Sequence, residues 1–536
     1  MYLLLISFIP LEKNFSNGVY QSGSFCYNLA KVMKDITLAH HRPQWKTHIG
    51  FLLAAIGSAI GLGNIWRFSY LCYKNGGGAF LLPYLIALII VGIPLMILEI
   101  GLGHKMRGSA PASFASISKK WEWVGWWQTI IVMFGIVLYY SVIISWCLNF
   151  FFYSFNLSWG ENPAQFFENS FLMKTGSPFE IGQIRTPILF SLAAVWFLHW
   201  LIIFGGVRKG LERANKIFMP VLFLLTGVIV FWGLSLPGAK EGISVYLKPD
   251  FSRLNDVGVW MDAFSQIFFT LSLGFGIMIA YASYLPKKTE IVRDALIISG
   301  MNCLFSIFAG FGVFAVLGYM AVKTGQPVNQ VVSESIGLAF VVFPKAIELL
   351  PAFSKLFGCL FFGSLVIAGL SSSVSIIEAF ASGLVDKFNY NRKTVVSVLC
   401  ISGFIGGIIF TTQGGINWLD IVDHFLTQYG LVLGAIFECI IVGWIYKANK
   451  LTQHINHYSS WAVGRWWKLC IKAITPVVLV AIFISSLIQE FTVAYGGYSH
   501  LEIILIGRDW LIYTLFFAIL IASCPWKIEP QERILT

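Results

Sequence analysis

Between Arg42 and Arg107 lie two apolar stretches with few charges, and the centre of the first reads Gly57-Ser58-Ala59-Ile60-Gly61-Leu62-Gly63-Asn64. Three glycines in seven residues do not keep a helix intact. In hydrocarbon a broken helix strands peptide N–H and C=O groups, at a cost of roughly several kcal/mol per group. Such a break persists only where something polar uses the freed groups, so it marks a candidate ligand or ion site.

The surroundings are a membrane. Of 536 residues, 57% are hydrophobic and 12% charged, where a soluble domain carries roughly 25% charged residues. That composition makes an all-α polytopic membrane protein. The net charge of +11 reflects basic residues gathered in short loops on one side of the bilayer, not a nucleic-acid partner. The cysteines, among them Cys147, Cys303, Cys359, Cys400 and Cys439, are scattered through apolar segments without metal spacing and read as packing residues. No nucleophile–base pair, metal cluster or phosphate loop stands out, and Gly61-Leu62-Gly63 follows no strand, so an enzyme is not expected.

Apolar periodicity gives about twelve spans: 47–72, 78–105, 123–155, 186–204, 211–235, 257–285, 290–323, 356–387, 393–412, 416–447, 470–490 and 507–525. Lys and Arg collect in alternate loops, such as Lys105/Arg107, Arg208/Lys209, Lys287/Lys288, Arg392/Lys393 and Lys447/Lys450. The positive-inside rule then places both termini in the cytoplasm. Segment 325–355 is broken by Pro327, Pro344 and Pro351 and reads as an external helical loop folded back over the core. Met1–Pro10 is apolar but lacks a basic flank and a cleavage site. Residues 1–41 therefore read as an N-terminal extension, disordered or misannotated, with Met33 as an alternative start that would leave residues 1–32 out of the mature protein. Residues 42–449 form the core and 450–536 hold spans 11 and 12 with the tail.

Span 6 is also interrupted, at Ser272-Leu273-Gly274-Phe275-Gly276. Breaks five spans apart fit two inverted five-helix repeats, about 45–235 and 257–449, with a site where the breaks meet. Half-helix N-termini attract anions; unwound carbonyls and C-terminal ends attract cations. Oxygen donors at membrane depth include Asn64, Thr270, Ser272, Asn302 and Ser371-Ser372-Ser373. Glu99 and Glu378 read as structural partners for polar or basic groups.

Gly57 to Phe68, Asn75-Gly-Gly-Gly-Ala-Phe-Leu-Leu-Pro-Tyr84, Gln266 to Gly276 and Ala368-Gly-Leu-Ser-Ser372 resemble the neurotransmitter:sodium symporter family, from about Arg42 to the end. The resemblance implies a LeuT-like 5+5 inverted repeat with broken helices 1 and 6, and two Na⁺ sites. One would use the Ala59 carbonyl, Asn64, Thr270, Asn302 and the substrate carboxylate. The other would use the Gly57, Ile60 and Ala368 carbonyls with Ser371 and Ser372. Substrate would lie between the breaks. Its carboxylate would meet the amides near Leu62 and Gly63 and the Tyr140 hydroxyl. Its ammonium would meet the carbonyls near Ala59, Phe269 and Ser272. Ile136, Phe269, Phe275 and Ile376 would wall the side chain, and Ser371 is counted among the substrate contacts. The family's monoamine carriers hold an aspartate where Gly61 stands, so here the anionic group has to come with the ligand, as an α-amino acid.

Tyr84, Gln266, Thr270, Asn302 and Ser306 match the family's chloride position, and with Ser306 neutral a bound Cl⁻ would offset the cations. Arg67 and Asp423 would close the outer side under a lid of Tyr140 and Phe269. Arg42 and Asp386, with Trp45 and Tyr284, would close the inner side. In some relatives a Gly-to-Pro spacing like Gly210–Pro220 marks where span 5 unwinds to admit water to the inner sodium.

The expectation is a sodium-coupled symporter importing a neutral, apolar or aromatic amino acid by alternating access, stimulated by chloride. It would sit in membrane lipid, in the cytoplasmic (inner) membrane of a bacterial source, with spans 1, 2, 6 and 7 moving against the rest. The alternative is a non-transporting amino-acid sensor, or a carrier of another small amine or osmolyte on the same fold. The particular amino acid, ion stoichiometry and oligomeric state are not written in the sequence.

Overall fold

The computed structural model describes residues 42–326, 328 and 335–530; the readings on residues 1–41 lie outside them. Among the described residues the protein is helical, and its only β contacts are two isolated bridges, Gly77 with Pro249 and Ile184 with Thr412. Ten helices of the described residues are long and apolar enough to cross a membrane, and the bent pair His48–Ala59 and Leu62–Lys74 makes eleven. The sixth predicted span falls outside that count because its break leaves two short helices, Val257–Thr270 and Ile277–Ala282.

Both breaks follow from local chemistry. Span 1 starts on Thr47, whose hydroxyl accepts the Gly50 N–H at 3.0 Å. It ends at Ala59, where Ile60 and Gly61 are extended, and the chain resumes as Leu62–Lys74 at a bend of 68°. Span 6 starts on Asp256, which accepts the Gly258 N–H at 2.8 Å. After Thr270 the backbone enters the left-handed region at Ser272, Gly274 and Gly276 (φ 53°, 74° and 72°). Glycine adopts that region freely; a serine there is held by its surroundings.

Packing fixes the halves around these breaks. A Cβ on Gly103 in span 2 would lie 2.1 Å from the Ile279 carbonyl oxygen, so the bare glycine lets span 2 rest on the second half of span 6. Glu99, also in span 2, accepts the Gly274 N–H at 2.8 Å and so pairs one peptide group freed by the break. Glu378 accepts from the Tyr284 hydroxyl at 2.8 Å and from Arg392 at 2.5 Å. Both carboxylates are thus partners of polar or basic groups. The segment before span 8 folds back onto the core: Phe340 is fully buried against Trp66, Trp146, Phe150 and Phe167. Spans 4, 5 and 11 turn Phe190, Phe197, Phe231, Ile484 and Phe491 outward, a surface suited to acyl chains.

Candidate functional site

The first break frees donors and acceptors at one level. An unbroken helix would give the Gly61 N–H to the Gly57 carbonyl; it goes instead to Asn64 Oδ1 at 2.8 Å. The Leu62 N–H donates to the Tyr140 hydroxyl at 3.2 Å. The Ser58 carbonyl accepts from Ser372 Oγ at 3.0 Å and Ser272 Oγ at 3.3 Å, which ties span 1 to span 8 and to the second break.

The residues expected around the first sodium converge. Asn64 Nδ2 lies 2.8 Å from Thr270 Oγ1, from Ser306 Oγ and from one end of the Asn302 carboxamide. That same end lies 3.1 Å from the Ala59 carbonyl and 3.2 Å from the Thr270 carbonyl; with nitrogen there it donates to both, while Asn64 donates to Thr270 and Ser306. Ala59, Asn64, Thr270 and Asn302, from three separate spans, therefore share one small polar volume. The second set is looser. Ser371 Oγ donates to the Ala368 carbonyl of its own helix at 2.9 Å, while Ser372 reaches across to the turn of span 1 that carries Gly57 and Ile60.

Between the breaks is a cavity of about 300 Å³. Ala59, Gly61, Leu62, Gly63 and Asn64 line its floor, and Ile136, Tyr140, Phe269, Ser272, Phe275 and Ile376 its walls. Every residue predicted to touch substrate lines it except Ser371, whose hydroxyl turns into its own helix; Ser372 takes that place. A Cβ on Gly61 would come 3.0 Å from the Tyr140 hydroxyl, so the floor there is bare backbone.

Beside this cavity Tyr84 is fully buried, its ring packed on Phe68 at 5.1 Å. Its hydroxyl faces Cys303 and Ser306 without a well-formed hydrogen bond, and the buried Gln266 Oε1 is also unpaired among the described residues. A buried hydroxyl proton without an acceptor suits an anion.

The two ends of the cavity differ. At one end, Arg42 Nη1 grips both Asp386 oxygens at 2.7 and 2.9 Å, its Nε donates to Ser283 Oγ at 2.8 Å, and its guanidinium sits 4.8 Å over the Tyr284 ring. Trp45 Nε1 donates to the Tyr281 carbonyl at 2.9 Å, and the Ser109 N–H adds a third bond to Asp386 at 2.8 Å. Burial opposes the Arg42 charge, but Asp386, Tyr284 and Glu378 outweigh it and hold the proton above the ordinary guanidinium range. At the other end, Arg67 and Asp423 line the mouth without pairing to each other. Arg67 donates to Ser265 at 3.2 Å and lies 4.8 Å over Phe269, and Asp423 accepts from the Tyr139 hydroxyl. This end is open and the Arg42 end is shut. Tyr139, Ser265, Ser283 and Ser109 escaped sequence reasoning; Tyr139 adjoins Tyr140 on one helix, and only the packed geometry tells which of two tyrosines faces a given partner.

The chain matches the model of the sodium:neurotransmitter symporter family over residues 42–164 and 160–524. It is 48% identical over 458 residues to an uncharacterized sodium-dependent transporter of Methanocaldococcus jannaschii, covering 85% of this chain and 93% of the relative. It is 33% identical over 525 residues to the Homo sapiens sodium- and chloride-dependent neutral and basic amino acid transporter B(0+), covering 85% and 81%. It is 32% identical over 513 residues to the sodium-dependent dopamine transporter of Caenorhabditis elegans, covering 86% and 82%. Two broken membrane helices, a polar cluster where they meet and matches over nearly all of residues 42–524 agree, and the chain belongs to the sodium:neurotransmitter symporter family, a sodium-dependent membrane transporter and not an enzyme.

Proposed function

We propose that this protein imports a neutral amino acid with an apolar or aromatic side chain, coupled to two Na⁺ ions and assisted by Cl⁻. The bare floor at Gly61 carries this reading. No acidic side chain stands there, so a ligand whose ammonium meets the carbonyls near Ala59, Phe269 and Ser272 brings its own carboxylate to the Leu62 and Gly63 amides and to Tyr140. That carboxylate completes the sodium site of Ala59, Asn64, Thr270 and Asn302. Ion and substrate then raise each other's affinity by the same factor, which is the thermodynamic content of coupling. Gly57, Ile60, Ala368, Ser371 and Ser372 hold the second sodium, and Ser371 turns outward from its helix to do so. Tyr84, Gln266, Thr270, Asn302 and Ser306 hold chloride, whose charge offsets the cations in a site without a fixed acid. The apolar walls set the side-chain class.

The repeats are 45–235 and 257–449, with 450–536 outside the core. The Arg42 end faces the cytoplasm, with both chain termini, as the basic loops require. Arg67, Asp423, Tyr140 and Phe269 close the outer side once substrate is bound. Arg42, Asp386, Trp45 and Tyr284 part on the inner side as spans 1, 2, 6 and 7 swing.

The test is thermal unfolding of the purified protein against each amino acid, in sodium or potassium and in chloride or gluconate. A ligand at 100 times its Kd stabilises by about 2.7 kcal/mol. A melting shift with a few neutral amino acids, present only in sodium and reduced in gluconate, is expected. A shift with amines or osmolytes alone would replace the amino-acid reading, and binding without uptake into liposomes would make the protein a sensor.

A further inference from the structure

Span 5 carries an oxygen that no role above uses. Asn215 is fully buried, its Nδ2 donates to the Leu211 carbonyl at 3.0 Å, and its Oδ1 has no hydrogen-bond partner among the described residues. A buried amide oxygen left unpaired is costly enough to call for an explanation. The oxygen points at span 1: a Cβ built on Gly57 would lie 2.6 Å from it, so the bare glycine lets it come against the last turn of the half-helix. One turn nearer the Arg42 end, Glu212 faces Gly50 in the same way, with a Cβ on Gly50 only 2.4 Å from its carboxylate. Glu212 accepts from the Lys46 N–H at 2.7 Å, Thr47 Oγ1 at 2.8 Å and Lys216 Nζ at 2.7 Å, so its oxygens are occupied. Gly50 and Gly57 are seven residues apart and share a face of span 1; Glu212 and Asn215 are three apart and share a face of span 5. Two helices pressed together through glycines thus present one unoccupied oxygen, Asn215 Oδ1, beside the Gly57 turn and on its Arg42 side.

Resting on the reading that Gly57 belongs to the second sodium site, we propose that Asn215 Oδ1 is an additional sodium ligand, met by the ion as it leaves that site toward the cytoplasm. A hard cation shedding carbonyl and hydroxyl oxygens needs replacements, and a neutral amide oxygen supplies one without trapping the ion as a carboxylate would. Span 5 is continuous through Pro220, with that proline inside the helix Glu212–Leu234. Pro220 lacks the N–H that would tie it to the Lys216 carbonyl, so the turn holding Asn215 is the one best able to loosen when the ion moves.

The test uses the full protein in liposomes, with uptake of a radiolabelled mixture of the common amino acids driven by external sodium while internal sodium is varied. Internal sodium slows uptake by occupying the inward-facing site. Asn215→Asp, which places a charge beside the ion, should lower the half-inhibiting internal sodium concentration about tenfold. Asn215→Leu, similar in volume and without the oxygen, should raise it by about threefold or more. Dependence on external sodium should change by less than about twofold in both, since the Arg42 end is then shut. Equal internal-sodium inhibition in wild type and both variants, or shifts of one sign in both, would overturn the proposal. If Asn215→Leu loses its melting transition, the aspartate variant alone decides. Uptake independent of sodium in the wild type would instead sink the symport reading, and this inference with it.

Discussion

At Gly61 the absence of a side chain is itself the chemistry. A methyl there meets the Tyr140 hydroxyl, a partner of the proposed substrate carboxylate, at 3.0 Å, and Ser372 Oγ at 3.6 Å. Gly61→Ala should therefore weaken substrate binding by about tenfold, read as a smaller substrate-induced melting shift, while the shift from sodium alone persists. Loss of both shifts together would mean that Gly61 serves only the backbone. Asn64 illustrates the opposite economy. Its oxygen closes the broken turn by accepting the Gly61 N–H, and its amide nitrogen, with two hydrogens to give, donates to Thr270 on span 6 and Ser306 on span 7.

Between elements, glycines and ion pairs decide which helices travel together. Gly103 presses span 2 against the Ile279 carbonyl in the second half of span 6. Gly103→Ala has no flexible side chain to displace, so it should cost about 1–3 kcal/mol and lower the melting temperature; an unchanged melting curve would show that the two helices slide apart freely. The Arg42–Asp386 pair links the segment before span 1 to span 8, with side chains 16% and 6% exposed. Arg42→Ala removes both guanidinium bonds to Asp386, at 2.7 and 2.9 Å, so the shut end should loosen. We expect faster labelling by a membrane-impermeant thiol reagent, added from the Arg42 side, of a cysteine introduced at Ser375, which is buried on span 8 with its hydroxyl 2.7 Å from Ser58 Oγ of span 1. Labelling as slow as in the same cysteine variant with Arg42 intact would show that the aromatic packing of Trp45 with Tyr281 and Tyr284 closes that end without the ion pair.

Over the whole molecule, the cavity reaches Arg67 and Asp423 at one end while the Arg42–Asp386 pair closes the other, so the site in this structure faces the side of Arg67. In liposomes, collapse of the sodium gradient should abolish accumulation of substrate above its external level while leaving exchange of internal for external substrate; accumulation that survives the collapse would mean another ion drives it. Much of this was legible in the chain. The glycine-broken spans, the alternation of basic loops and the serines of span 8 are local signals, because helix propensity, membrane insertion and charge act on neighbouring residues. The floor and walls of the cavity could be named because the resemblance to the symporter family implies them residue by residue, including Ile136, Tyr140 and Ile376, which lie in no local motif. What the chain did not display are choices between neighbours and meetings of distant faces. Ser372 and not Ser371 faces the cavity, Tyr139 and not Arg67 holds Asp423, and Asn215 lies against Gly57. A helix turns about 100° per residue, and the direction that matters is set by which other helix packs there, so the sequence alone determined the elements and their breaks while tertiary packing decided which atoms meet.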